Sequence, residues 1–492
     1  MNYISTRGQS APVSAAQAIK QGIAPDGGLY MPETIPSLGE SDLRELCKLS
    51  YSERAARIMS LFLTDYTYDE LLADCKLAYG DNFDGYAAPV LSVGERARIL
   101  ELWHGPTCAF KDMALQIMPR LLSRALVKTG EQRTALILVA TSGDTGKAAL
   151  EGYRDVERTK ISVYYPVDGV SRAQKLQMTT QEGSNVNVCA INGNFDDAQN
   201  GVKKIFADKD FATQLDEKGY FLSSANSINW GRLVPQTVYY ISAWCDLVNK
   251  GDIAFGEAVD VCVPTGNFGN ILAAFIAKRM GLPVGRFVCA SNSNNVLTDF
   301  FRQGIYDRNR DFHLTISPSM DILISSNLER LLFLTAGAEK TVRYMRSLID
   351  TGRYELDKED HDKISEEFVG YYASEDACRS QIRDTFDEFS YLIDTHTAVA
   401  VSCANRYLAE NTDACPKIVI ASTASPYKFA SSVAGALSLD IPDTDAEIFD
   451  TLSVSTSTKI PSQLSDVLKK EIRFTKVIDP EEMKTSVLDF IS

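Results

Sequence analysis

The sequence predicts an α/β protein built on doubly wound, mostly parallel sheet, and three observations lead there. From about Arg133 onward, short β-rich runs alternate with helical patterns, the mark of parallel βα units. The run Arg133–Thr141 is apolar on nearly every residue, as a strand covered on both faces requires. Glycine-, asparagine- or hydroxyl-rich turns stand where strands hand over to helices, the edge at which such sheets bind ligands.

Taken in order, the Arg133–Thr141 strand ends in a turn at Ser142–Gly146, and a helix starts near Thr145 and runs through Ala148-Ala149-Leu150. Ile161–Tyr165 and Val186–Ile191 are strands, followed by helices near Arg172–Thr180 and Asp196–Asp208. Val259–Val263 is a strand whose glycine turn becomes a helix over Asn267–Met280. Phe287–Ser291 and Ile418–Ser422 complete the set of buried strands. Earlier in the chain, Pro25, Gly27-Gly28, Pro32 and Pro36 punctuate a segment in which helical patterns dominate after Ser41. Residues 1–93 therefore read as an N-terminal domain ahead of a core over 94–440. Residues 302–391 are charged and mostly helical with no clear buried strand, an insertion on that core. The tail, 441–492, follows no readable pattern.

Composition narrows the function. At ~150 residues per domain, a chain of 492 residues amounts to about three domains. With 45% hydrophobic and 23% charged residues it buries a sizeable core. The formal charge of −15, from 65 acidic and 50 basic side chains, argues against nucleic-acid and anionic-membrane partners, which need a net basic face. An anionic small molecule is still admissible, through a local pocket of donors. The polar start, Met1–Ser10, lacks the apolar stretch of a secretory signal, and the aliphatic run Ala135–Ala140 is too short to span a bilayer. None of the ten cysteines forms a C-x-x-C pair or stands at zinc-ligand spacing with the four histidines, so reduced thiols in a cytoplasmic protein and no metal site are expected.

Three turns are candidate anion cradles. Thr141-Ser142-Gly143-Asp144-Thr145-Gly146 precedes Lys147 but is not a nucleotide P-loop: Thr141 stands where glycine is needed, and Ala148 where a magnesium-binding hydroxyl is needed. Pro264-Thr265-Gly266-Asn267-Phe268-Gly269-Asn270 has two glycines and two asparagines that let the backbone bend and point several amides one way, ahead of a helix dipole. Ala421-Ser422-Thr423-Ala424-Ser425-Pro426 places hydroxyls at the carboxyl end of a strand. Each fits an ordinary βα turn or helix cap equally well when taken alone. The sharpest feature is Trp103-His104-Gly105-Pro106-Thr107-Cys108-Ala109-Phe110-Lys111-Asp112. A lysine between Phe110 and a following helix is partly desolvated, which makes its amine a usable nucleophile or base; the alternative is a solvated surface lysine.

The segments H-G-P-T-x-A-F-K-D, T-S-G-D-T-G, N-S-I-N-x-x-R, P-T-G-N-F-G-N and S-T-A-S-P-Y-K-F occur in this order. Together with Tyr3–Gly8 and Ala24–Tyr30 they resemble the threonine synthases of bacterial and fungal type, from Tyr3 to about Phe429. The resemblance implies a tryptophan-synthase-β-like fold (fold type II of the pyridoxal-phosphate enzymes). Residues 130–235 would be a smaller mobile lobe, and 94–129 with 236–440 a larger one. It implies pyridoxal 5'-phosphate as cofactor and Lys111 as the lysine that carries it. Gly266, Asn267, Phe268, Gly269 and Asn270 would cradle the cofactor phosphate, and Thr423 would meet the pyridine nitrogen. Asp144, asparagine in many relatives of the fold type, would lie beside the phenolic oxygen. Thr141, Ser142 and Thr145 would hold the substrate α-carboxylate; Ser227 and Arg232 would bind a substrate phosphate, with Asn267 and Thr145 in reach. Asp394-Thr395-His396-Thr397-Ala398 also matches the family but carries no assigned contact. The implied reaction converts O-phospho-L-homoserine and water to L-threonine and phosphate, the last step of threonine biosynthesis, with Lys111 as proton shuttle. A phospho-lyase releasing 2-oxobutyrate and a non-catalytic cofactor-binding homologue are the alternatives. A serine or threonine dehydratase would leave the Arg232 segment without a purpose.

Overall fold

Two parallel sheets carry the fold in the computed structural model, which describes residues 1–492 except 84, 142 and 169. The smaller sheet has five strands in the order Tyr220–Ser223, Thr134–Ala140, Thr159–Pro166, Val186–Ile191 and Val477–Ile478, all parallel. Ala135–Val139 are buried throughout because helices Asp144–Tyr153 and Phe195–Ala207 pack against this sheet. That two-sided burial explains the unbroken apolar run. The larger sheet has six strands, in the order Phe368–Tyr372, Val284–Ser291, Val259–Pro264, Ile418–Ser422, Ala97–Glu101 and Val90–Val93. Only the edge pair, Val90–Val93 with Ala97–Glu101, is antiparallel.

The sheets differ from the sequence expectation at five strands. Phe368–Tyr372 lies inside the stretch read as strandless, yet it pairs in parallel with Phe287–Ser291 and closes one edge of the larger sheet. Its residues alternate too little to stand out, and its register partners are 81 residues away in the chain, so local pattern does not reveal it. Val90–Val93 belongs to the larger sheet rather than to the segment before it. Ala97–Glu101, which pairs in parallel with Ile418–Ser422, and the four-residue Tyr220–Ser223, which pairs in parallel with Thr134–Ile137, are further strands that the sequence pattern does not single out. The unreadable tail is a strap. Helix Asp445–Thr456 packs on Ala430–Ala436 at the larger sheet, whereas Val477–Ile478 pairs with Val186–Ile191 and helix Met483–Ile491 packs on Phe195–Ala207.

The two sheets meet where helix Asp112–Leu115 touches helix Asp144–Tyr153. A Cβ on Gly152 would stand 1.9 Å from the Leu115 carbonyl oxygen, so only glycine allows this approach. Gly152→Ala is expected to lower stability by about 2 kcal/mol or more, through forced separation of the helices. A thermal unfolding midpoint equal to that of the unaltered protein would contradict this.

The N-terminal segment is welded to the core. Tyr3 packs edge-on against Trp230, Asn229 Nδ2 donates to the Ile19 carbonyl at 2.9 Å, and Arg7 pairs with Glu329 at 3.1 Å.

Candidate active site

Lys111 sits at the start of the short Asp112–Leu115 helix, and local chemistry fixes that turn. The Asp112 carboxylate accepts from the Thr107 amide at 2.8 Å and the Thr107 hydroxyl at 2.6 Å. A Cβ on Gly105 would fall 2.6 Å from Asp112, so glycine is required there. The turn is stitched to the third candidate cradle: the Phe110 amide donates to the Thr423 carbonyl at 2.8 Å and the Ser425 amide to the Cys108 carbonyl at 3.1 Å. Two segments more than 300 residues apart thus present Lys111 and Thr423 side by side at the carboxyl end of the larger sheet.

The Lys111 side chain is 13% exposed. Its Nζ lies 3.6 Å from Asp144 Oδ2 and donates to Ser319 Oγ at 3.3 Å, and Ser319 Oγ in turn donates to Asp144 Oδ2 at 3.3 Å. Burial pushes the Lys111 ammonium below its ordinary range; Asp144 opposes that shift and Lys428 adds to it. The Asp144 carboxylate also pairs with Lys428 Nζ at 2.7 Å and accepts from Gln174 Nε2 at 2.9 Å. Burial alone would raise that carboxyl, but Lys428 and Lys111 hold it well below the usual carboxylate range.

The Gly266–Asn270 turn lies against the same cluster. Asn270 and Gly269 begin helix Gly269–Arg279, and Phe268 caps it in the left-handed region at φ 62°. A Cβ on Gly266 would stand 3.0 Å from the Ser319 carbonyl oxygen and 3.2 Å from Met320 Cα, so the Ser319 turn packs directly on this loop. Asn270 Oδ1 accepts from the Tyr239 and Tyr240 hydroxyls, at 2.7 and 2.5 Å, while its Nδ2 is buried without a partner among the described residues.

A second donor cluster adjoins the first. Asn327 Nδ2 donates to the Asn267 carbonyl at 2.9 Å and to Ser227 Oγ at 3.3 Å, and Ser326 Oγ donates to Asn267 Oδ1 at 3.2 Å. Arg330, fully buried, bonds the Asn327 side chain and the Ile228 and Tyr30 carbonyls, joining the Ser227 segment to the N-terminal domain. Arg232 is 3% exposed and its Nη1 donates to the Ala225 carbonyl at 2.6 Å, but its Nε is buried with no partner among the described residues. Burial brings its guanidinium down to about 10. A buried guanidinium with a spare donor and no carboxylate at hand is costly unless an anion joins it.

In the Thr141–Thr145 turn, the Thr141 hydroxyl accepts from the Gly143 and Gly146 amides at 3.0 and 2.9 Å, so it shapes its own turn. Thr145 is half-buried in the first turn of the Asp144–Tyr153 helix, and Ser142 lies outside the described residues. Several participants had no assigned role in the sequence reading: Ser319 and Asn327 from the insertion, Gln174, and Lys428. Lys428 stood inside a quoted motif, and a second lysine beside a site hydroxyl was the available signal.

These residues fit pyridoxal phosphate. The site offers two shielded primary amines, of which Lys428 is held by Asp144 and the Thr107 carbonyl, a helix N-terminus with an unsatisfied Asn270 Nδ2 donor, and a hydroxyl residue at Thr423 in contact with the lysine turn.

Comparison with known proteins agrees. Residues 2–79 match the family model "Threonine synthase N terminus", 92–424 match "Pyridoxal-phosphate dependent enzyme", and 397–487 match "Threonine synthase, C-terminal". The chain is 42% identical to human "Threonine synthase-like 1" over 86% of its own length, spanning 58% of that protein. It is 36% identical to the threonine synthase of Pseudomonas aeruginosa, covering 100% of this chain and 98% of that one. The crystal structure of PLP-bound threonine synthase from Brucella melitensis superposes with a TM-score of 0.89 at 35% identity, over 100% and 99% of the two chains. With a shielded Lys111 amine at the carboxyl end of the larger sheet and matches of this extent, the chain belongs to the threonine synthase family of pyridoxal-phosphate-dependent enzymes.

Proposed function

We propose that this chain is a threonine synthase that converts O-phospho-L-homoserine and water to L-threonine and phosphate, with Lys111 carrying the cofactor. One observation supports this reading above others: the shielded Lys111 amine is flanked by two separate anion cradles. The Gly266–Asn270 turn suits the cofactor phosphate, and the Ser227–Arg232 segment suits a phosphate on the substrate. A reaction on an unphosphorylated amino acid has no use for the second.

Pyridoxal phosphate, when bound, supplies an electron-withdrawing ring that stabilises negative charge on the substrate α-carbon. The chain's own residues do the rest. The Lys111 amine, once exchanged for the substrate amine, takes the α-proton as general base and returns a proton later. Shielding serves that role, because an amine held below its ordinary range is neutral more of the time. Arg232 and Ser227 hold the substrate phosphate until it leaves, with the Asn267 side chain and Thr145 as further donors to it. Backbone amides of the Thr141–Thr145 turn bind the α-carboxylate, with Thr141 keeping the turn in shape. Thr423 would meet the ring nitrogen with a hydroxyl, which would leave that nitrogen largely unprotonated. Closing the lobe of residues 130–235 over the remainder of the core would keep water out until its addition step.

The test is to incubate purified protein with pyridoxal phosphate and O-phospho-L-homoserine and quantify phosphate, threonine and 2-oxobutyrate. Threonine equimolar with phosphate supports the proposal. Phosphate with 2-oxobutyrate instead identifies a phospho-lyase. Bound cofactor with no turnover marks a non-catalytic homologue.

A further inference from the structure

The segment Asp394-Thr395-His396-Thr397-Ala398 has no part in the chemistry described so far, although it is among the most deeply buried polar stretches of the chain. Asp394 caps the helix Thr395–Glu410 and is 0% exposed. Its Oδ1 accepts from the Thr397 amide at 3.1 Å and from the Thr397 hydroxyl. Its Oδ2 accepts from the His396 amide at 2.9 Å and faces His396 Nδ1 at 2.8 Å. On the far side of the ring, the Ser319 backbone amide meets His396 Nε2 at 3.2 Å. A backbone amide is only ever a donor, so Nε2 is an acceptor and the ring proton sits on Nδ1, directed at Asp394. Carboxylate, imidazole and amide thus form one chain with unambiguous donors, ending at Ser319.

Ser319 is where that chain meets the site. Its residue lies in the one-turn helix Pro318–Met320 of the insertion, packed on Gly266. Its hydroxyl takes a hydrogen bond from Lys111 Nζ and gives one to Asp144 Oδ2, both at 3.3 Å. No other hydroxyl among the described residues bonds the Lys111 amine. A primary amine on a four-carbon stem rotates freely unless one of its hydrogens is held. Anchoring one N–H on Ser319 fixes where the remaining hydrogens and the nitrogen lone pair point.

We infer that Ser319 is a further catalytic residue, holding and orienting the reacting amine of Lys111. Asp394 and His396 are positioning residues that act through the Ser319 amide. This rests on Lys111 as the cofactor lysine and assigns it a partner that comes from the insertion. The D-T-H-T-A segment then has a physical role: it ties the helix behind the larger sheet to the turn that presents Ser319. A burial of this kind for a His–Asp pair is otherwise an expense to the fold, since neither group touches solvent.

The test measures capture of cofactor by the apo-protein as well as turnover. Pyridoxal phosphate is added to apo-protein, samples are reduced with borohydride at timed intervals, and the modified Lys111 peptide is quantified by mass spectrometry. Ser319→Ala is expected to slow formation of that adduct by about tenfold or more and to lower kcat by about 10- to 100-fold, with KM within about threefold. His396→Ala is expected to act in the same direction with a smaller effect. The double variant Ser319→Ala/His396→Ala should behave as Ser319→Ala alone, because the histidine acts through the serine. Adduct formation and kcat at wild-type levels in Ser319→Ala overturn the assignment, and additive losses in the double variant overturn the positioning role. Failure of the unaltered protein to form any adduct at Lys111 is a separate result that removes the underlying reading of the lysine.

Discussion

Replacing Lys111 by alanine is expected to abolish covalent cofactor attachment and to lower turnover by at least about 10³-fold. The size of the effect follows from two tasks falling on one atom. Nζ is both the nucleophile that takes up the cofactor and the base positioned for the α-proton, and none of the four histidines stands in for it. Of the histidines, His396 has both ring nitrogens engaged, by Asp394 and the Ser319 amide. Lys428 is the closest second amine, but it is held by Asp144 at 2.7 Å and by the Thr107 carbonyl at 2.9 Å. Loss of the visible absorbance of bound cofactor, together with loss of threonine formation, is the measurement. Retained full activity in Lys111→Ala would remove the catalytic reading entirely.

The second large effect is expected at Arg232. Arg232→Ala should reduce kcat/KM for O-phospho-L-homoserine by about 30- to 150-fold, which is the ~2–3 kcal/mol of one or two charge-assisted hydrogen bonds to a phosphate. Cofactor affinity should change by no more than about threefold, since the cofactor phosphate has its own cradle at Gly266–Asn270. Arg232→Met supplies the control against a purely structural role. A buried guanidinium with an unpartnered Nε contributes little to the empty fold, so the thermal midpoint without substrate should move by no more than about 3 °C. Equal losses of substrate and cofactor binding would contradict a dedicated substrate-phosphate site. A large drop in the midpoint would show that Arg232 holds the helix Trp230–Lys250 in place instead.

Arg330 extends the same logic to the N-terminal domain. Its three hydrogen bonds link Tyr30, Ile228 and Asn327, so the first strand pair of the chain braces the segment that carries Ser227 and Arg232. The two-stranded sheet Tyr3–Ser5 with Tyr30–Pro32 is therefore part of what holds the second donor cluster in register.

Much of this protein is readable from short stretches of its chain. The Thr134–Ala140 and Val259–Pro264 strands announce themselves because both faces are covered, so apolar residues dominate them, with Asp260 the buried charged exception, its carboxylate accepting from the Arg286 and Cys415 amides. The Gly266–Asn270 turn is legible because its two glycines and two asparagines mark a tight βα turn, and the close approach of the Ser319 turn requires glycine at 266. Lys111 stands out because Gly105, Thr107 and Asp112 build its turn within eight residues. Local rules of backbone sterics and burial decide these features, and those rules act over a few residues.

Other features depend on partners far away in the chain, and only the folded molecule reveals them. Ser319 is an unremarkable serine in a charged, helical stretch until the turn Pro318–Met320 is packed on Gly266 and faces Lys111, 208 residues earlier. The Phe368–Tyr372 strand acquires meaning through its register with Phe287–Ser291, and Val477–Ile478 through its register with Ala190–Ile191. Asp144 reads as one polar residue of a turn, but its charge state is set by Lys428 and Lys111 converging on it from two other segments. Chemistry-bearing residue types can be listed from the chain in order. Which of them share a hydrogen bond is decided by long-range packing, because a contact energy depends on separation in space and carries no trace in local sequence.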